Sequence, residues 1–115
     1  MYDIFLIQDL DLVEVSVRGE LNGEAGATSV ARALRGVADG SAVLVDLRGL
    51  RSVDDLNAVR LGVGLAELAQ RDVKVACVAD DAVVRERLID HGLASHAMHD
   101  GVDTARQVLR RASLA

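Results

Sequence analysis

The sequence predicts a single α/β domain: one sheet of about four to five strands with an N-terminal hairpin, helices packed on it, in the order β-β-α-β-α-β-α-(β)-α. Three observations carry this. Tyr2–Gln8 and Leu12–Arg18 are strand-like runs, the second alternating Val13, Val15 and Val17 with Glu14, Ser16 and Arg18. Ala42–Asp46 and Val73–Val78 are short, nearly continuous apolar runs, the pattern of central parallel strands covered on both faces. The segments between them repeat apolar residues at helical spacing, and 115 residues suffice for one core but not two.

The elements follow in order. Asp9-Leu10-Asp11 separates the first two runs as a hairpin turn. After Gly19-Glu20-Leu21, Asn22 is a candidate N-cap for a first helix. Its stripe is Val30, Ala31, Leu34, Val37 and Ala38, and Asp39-Gly40 ends it. Asp46–Ser52 breaks the strand that begins at Ala42, and Asp54-Asp55 places acids where the positive end of a second helix dipole falls. That helix is expected from about Asp55 to Gln70. Leu56, Val59, Leu61, Val63, Leu65, Ala66, Leu68 and Ala69 cover more than one of its faces and predict that it is largely buried. Gly62 and Gly64 each weaken it by roughly 1 kcal/mol relative to alanine, which points to close packing or local mobility. A third helix is expected over Asp81–His91 and a short edge strand near Ser95–Met98. A terminal helix carries the stripe Val102, Ala105, Leu109 and Ala112, with Asp100 or Asp103 at its start and Arg110-Arg111 at its end. No linker, repeat or proline divides the chain.

Composition narrows the function. Aromatics are 2% of residues, too few for a base-stacking surface, and 13 basic residues are scattered among 18 acids for a net charge of −5, so nucleic acid is not an expected partner. Cys77, the single cysteine, sits in an apolar run and reads as a buried hydrophobe. The first residues lack a basic, cleavable leader pattern and no apolar run spans a bilayer, so a cytoplasmic location without membrane insertion is expected.

The motifs of catalysis and cofactor binding fail on context. His91, His96 and His99 lack a cysteine or compact acid cluster to complete a metal set. Gly62-Val63-Gly64 lies inside a helix and lacks the third glycine of a dinucleotide fingerprint. Asp9, Asp11 and Asp46 suggest a phosphoryl-accepting receiver domain, but the alternating Leu12–Arg18 run stands where that fold requires a helix, and Lys74 begins its strand instead of ending it. No enzyme activity and no cofactor are expected.

The segment Val43–Leu61, VLVDLRGLRSVDDLNAVRL, resembles the signature of the STAS family, the anti-sigma factor antagonist and sulphate transporter domain. Val17–Asn22 resembles that family's strand-end Gly-Glu-Leu-Asp, Val84–Leu93 its third helix, and His99–Leu109 its closing segment. The resemblance implies a STAS-like fold. It also implies a non-catalytic protein-binding role, with an anti-sigma factor or kinase-like partner, or a transporter ATPase in a membrane transport complex. A small-ligand or nucleotide sensor in the same fold is a further alternative.

Where the family commonly reads Asp-Ser-Ser/x-Gly-Leu, this chain reads Asp54-Asp55-Leu56-Asn57-Ala58. An acid that cannot be phosphorylated thus occupies the switch position at Asp55. The departures are Asp55, Asn57, Ala58 and Asn22. The resemblance makes Asp54, Asp55, Leu56, Asn57, Ala58, Ser52, Asn22 and Glu20 the candidate partner-binding and switch residues. Residue chemistry alone also accounts for Asp54-Asp55 as a helix cap, for Ser52 as a turn serine and for Asn22 as a cap.

Overall fold

The computed structural model describes residues 2–9 and 12–114. The strands are β1 (Tyr2–Asp9), β2 (Leu12–Leu21), β3 (Ala42–Asp46), β4 (Leu50–Val53), β5 (Lys74–Val78) and β6 (Met98–His99), and the helices α1 (Gly23–Arg35), α2 (Asp55–Gln70), α3 (Ala82–Asp90) and α4 (Val102–Leu114). They form a six-stranded sheet in the order β1-β2-β3-β5-β6, with β4 joined to β2 alone. β1 and β2 are an antiparallel hairpin and every other pairing is parallel. The expected turn residues Leu10 and Asp11 lie outside the described residues.

Alternation along β3 divides the core between two faces. Val43 and Val45 pack with Val15 and Val17 under Val30, Leu34, Leu61, Leu65 and Leu88 of α1, α2 and α3. Leu44 and Ala42 face the other way with Ala76 and Val78, onto Ala105 and Leu109 of α4. Helices on both faces explain why β3 and β5 read as continuous apolar runs. Of the α4 stripe, Ala105 and Leu109 are buried and Val102 partly so, while the side chain of Ala112 lies outside the described ones.

Four expectations need correction. The segment Asp46–Ser52 is not all turn, because Leu50–Val53 forms β4 against Gly19–Leu21, which prolong β2 beyond Arg18. With only Leu50 and Val53 apolar, this strand carries almost no period-two signal. α1 stops at Arg35, with Gly36 as C-cap, although Val37 is still buried: its carbonyl accepts from Arg71 Nη2 at 2.6 Å, which pins the chain after the helix ends. α2 spans the expected residues but is not buried all round, since Leu56, Val59 and Val63 are exposed. The edge strand is displaced to Met98–His99, and Ser95–Ala97 turn into a 3-10 helix before it.

The two helical glycines are packing devices. A Cβ on Gly62 would lie 2.9 Å from both the Cβ and the carbonyl oxygen of His91, at the end of α3, and one on Gly64 would lie 2.9 Å from Leu34 Cδ1 of α1. Both absences let α2 sit close to its neighbours.

Candidate functional site

β2 and β4 end side by side, and each runs directly into a helix. Leu21 and Val53 are paired in the ladder and buried, so the next residues, Asn22 and Asp54, stand together at the mouths of α1 and α2. The Asp54 N–H donates to Leu21 O at 3.3 Å, continuing the connection by one residue.

Asp54 caps both helices. Its Oδ1 accepts from the Asn57 backbone N–H at 2.9 Å, and its Oδ2 accepts from the Gly23 N–H at 2.7 Å. The first is an ordinary N-cap bond; the second reaches across to the helix next door. Asn22 occupies the N-cap position of α1 but its side chain makes no capping bond, so the cap expected from Asn22 is supplied by Asp54. Hydrogen bonds from Gly23, and then from the Asn57 side chain and backbone, favour the ionised carboxylate and hold Asp54 below the usual carboxylate range.

Asn57 completes the clamp from the first turn of α2. It is 1% exposed, and its Nδ2 donates to Gly23 O at 3.1 Å and to Asp54 Oδ1 at 2.6 Å. The backbone N–H and C=O of Gly23 are thereby both tied to the N-terminus of α2. Its Oδ1 has no hydrogen-bond partner among the described residues, and it faces Gly26, where a Cβ would lie 3.2 Å from that oxygen and 3.1 Å from Leu21 Cδ1. Ala58 is fully buried one residue on.

Asp55 has the opposite character. Its side chain is 92% exposed and its Oδ1 accepts from Arg87 Nη1 of α3 at 3.0 Å; the same nitrogen donates to Val53 O, also at 3.0 Å. Leu56, Val59 and Val63, at i, i+3 and i+7, are 37%, 37% and 44% exposed and form an apolar stripe down the outer face of α2. Beside the helix mouth, Glu20 and Ser52 are directly opposed in the β2–β4 ladder and both exposed. Ser52 is therefore a strand residue and not a turn serine.

The structure brings all eight candidate residues to one junction and divides them by exposure. Glu20, Asn22, Ser52, Asp55 and Leu56 face solvent, Asp54 is partly covered, and Asn57 and Ala58 are interior. Sequence reading missed Arg87, 32 positions from Asp55 with no local signal, and Gly26, whose lack of a side chain admits Asn57. It also assigned Val59 and Val63 to the core.

Among the described residues no group of three or more His, Cys, Asp or Glu side chains is placed to hold a metal ion. Cys77 is buried, and desolvation pushes its thiol up to about 12, which leaves it inert as a nucleophile. Asp46 closes β3 in a fork with Arg48, Nε to Oδ1 and Nη2 to Oδ2 at 2.9 Å each, a local surface pair. Among the described residues no helix is long and apolar enough to cross a membrane.

No family model matches the sequence, and no curated protein matches it. Solved structures do. An anti-sigma factor antagonist from Mycobacterium paratuberculosis is 20% identical, with 96% of this chain and 95% of that one covered and a TM-score of 0.78. The anti-sigma factor antagonist SpoIIAA in its unphosphorylated form is 20% identical over 95% of this chain and 97% of its own, with a TM-score of 0.70. The murine anion transporter Slc26a9 is 15% identical over 90% of this chain but only 18% of the transporter, with a TM-score of 0.72. The chain thus has the STAS-type fold of the anti-sigma factor antagonists.

Proposed function

We propose that this STAS-type domain is a non-catalytic regulator that acts by binding another protein, in the manner of an anti-sigma factor antagonist, through the mouth and outer face of α2. The observation that carries the reading is the pairing of an exposed fixed charge, Asp55, with the exposed apolar stripe Leu56, Val59 and Val63 on one rigidly held helix. In a phosphorylation-cycled relative, a phosphate at the helix mouth adds about −1.5 to −2 charge and changes what can dock there. Asp55 carries about half of that permanently. The regulator then has no phosphorylation cycle at this position, and its partner meets a constant acidic helix mouth.

The test is binding to an anti-sigma factor of the kinase-like class, followed by surface plasmon resonance. Val59→Asp abolishes binding with an unchanged melting temperature, and Asp55→Ser either strengthens binding or makes the protein a substrate for ATP-dependent phosphorylation. Equal binding by the parent protein and both variants, with no phosphate incorporated, would remove the reading. The likeness to part of an anion transporter supports a second reading, in which the same face is a constant contact inside a membrane transport complex. Co-purification with a transporter ATPase from detergent extracts, in place of an anti-sigma factor, selects that alternative.

A further inference from the structure

At the end of the sheet opposite Asp54, the first residues of β5 border a cleft of about 410 Å3. Its walls come from the last turns of α2, the start of β5, the connection after α3 and Val108 and Leu109 of α4. That volume is within the range of small-molecule sites. The lining is apolar and small, with Ala66 and Ala69 on one side and Val108 on the other.

Two features distinguish the cleft from a packing gap. The first is an uncovered piece of β5. The Lys74 N–H donates to Ser41 O at 3.0 Å, which sets the phase of the strand: Lys74, Ala76 and Val78 direct their peptide groups at β3, and Val75 and Cys77 direct theirs at the other edge. β6 pairs only with Cys77 and Val78. The residues before β6 do not continue the ladder, because Ala97 N–H donates to Ala94 O in the 3-10 turn. Among the described residues no strand covers Val75, which lines the cleft.

The second feature is charge. The chain has 18 acidic residues against 13 basic, yet the titratable side chains that line this cleft are Lys74 and His96. Both are exposed, and neither has an acidic partner among the described residues. The groove between α1 and α2 is a weaker candidate, because Glu67 stands among its arginines and Arg71 there is already paired with Asp39.

An apolar floor of small side chains, a rim of one lysine ammonium and one imidazole, and an open peptide edge complement one ligand class. We propose that this cleft binds a small aliphatic carboxylic acid, with the carboxylate at Lys74 and His96 and the tail along Ala66, Ala69 and Val108. The site shares no residue with the α2 stripe, so it stands or falls independently of the partner reading.

The test is a titration of the full chain, followed by 1H–15N correlation spectra, with butyrate, hexanoate and octanoate below their micellar concentrations. Shifts should concentrate at residues 65–75, 92–97 and 108–109, and the dissociation constant should fall by about fourfold for each added methylene. Lys74→Gln weakens octanoate by about tenfold, the scale of one hydrogen bond to a charged group. Ala69→Trp blocks the cleft. Both positions are exposed, so dispersed spectra verify that the variants fold. Octylamine, with the same tail and the opposite charge, should leave these residues unshifted. Equal effects of octylamine and octanoate, no shifts with octanoate, or a response only to phosphatidylglycerol vesicles would each overturn the proposal.

Discussion

Exchanging Asn57 for aspartate probes the helix junction with almost no change of shape. The amide is 1% exposed and both partners of its Nδ2, Gly23 O and Asp54 Oδ1, are acceptors, so its orientation is settled. Asn57→Asp turns that donor into an acceptor within hydrogen-bond reach of a second carboxylate. Ionised, the new group loses both bonds, is itself cut off from water, and stands beside the partly covered Asp54 carboxylate, a burial that costs a carboxylate about 3–5 kcal/mol. Protonated, it donates to Asp54 Oδ1 and recovers most of that loss, the two carboxyls sharing one proton. At 1.36 kcal/mol per unit, the cost corresponds to a folded-state pKa raised by about 2–4 units above the ordinary value near 4. A raised carboxyl pKa leaves stability intact below the unfolded value and removes it as pH rises, here between about pH 4 and pH 6–8. The parent protein slopes the other way, since Asp54 is held low and its contribution is lost as pH falls through the folded-state value. Urea melts at half-unit steps from pH 3 to 8 therefore give curves of opposite slope for the two proteins. Parallel curves separated by a constant offset would refute the clamp geometry.

The glycines of α2 predict a contrast within a single turn. Gly64→Ala gains about 1 kcal/mol of helix propensity, because only the mobile tip of Leu34 must move, whereas Gly62→Ala meets the His91 backbone and loses about 1–3 kcal/mol to overpacking; equal melting temperatures for the two would sink the packing account. Arg87→Ala removes the donor to Asp55 and to Val53 O but involves a largely exposed pair, so unfolding free energy falls by less than about 1 kcal/mol, and a larger fall in a urea melt would contradict that. Cys77, with its thiol pushed up to about 12 by burial, should react with iodoacetamide only through unfolding. Its labelling rate then rises with urea in step with the unfolded fraction, and fast labelling in water at pH 8 would show the strand to be open.

What was legible in the sequence followed from periodicity and caps. β3, β5 and α2 fall within a residue of expectation, because continuous apolar runs and a capped 3.6-residue pattern are local signals. β4 was not legible: Arg51 and Ser52 are polar, and what makes the segment a strand is pairing with a distant piece of β2. The exposure of Val59 and Val63 was hidden for a related reason, since an apolar residue carries the same letter whether it faces the core or solvent. At the candidate site, the acids at the helix mouth were read directly, but the double cap was not. Asp54 reaching Gly23 joins residues 31 positions apart, and Asn22 is an equally good local cap that the geometry passes over.

That double cap bears on how binding is set. A helix held only by its apolar face can slide or tilt when a partner docks, and binding must then include the cost of ordering it. α2 is fixed in two places: Asp54 and Asn57 tie its first turn to the backbone of Gly23, and Gly62 seats it on the end of α3. None of these residues belongs to the exposed stripe, so substitutions at Asn57 or Gly62 should weaken partner binding through the position of Leu56, Val59 and Val63, with no contact of their own. The distinguishing sign is kinetic. A displaced helix must be reordered before docking and lowers the association rate, whereas Val59→Asp removes a contact and raises the dissociation rate.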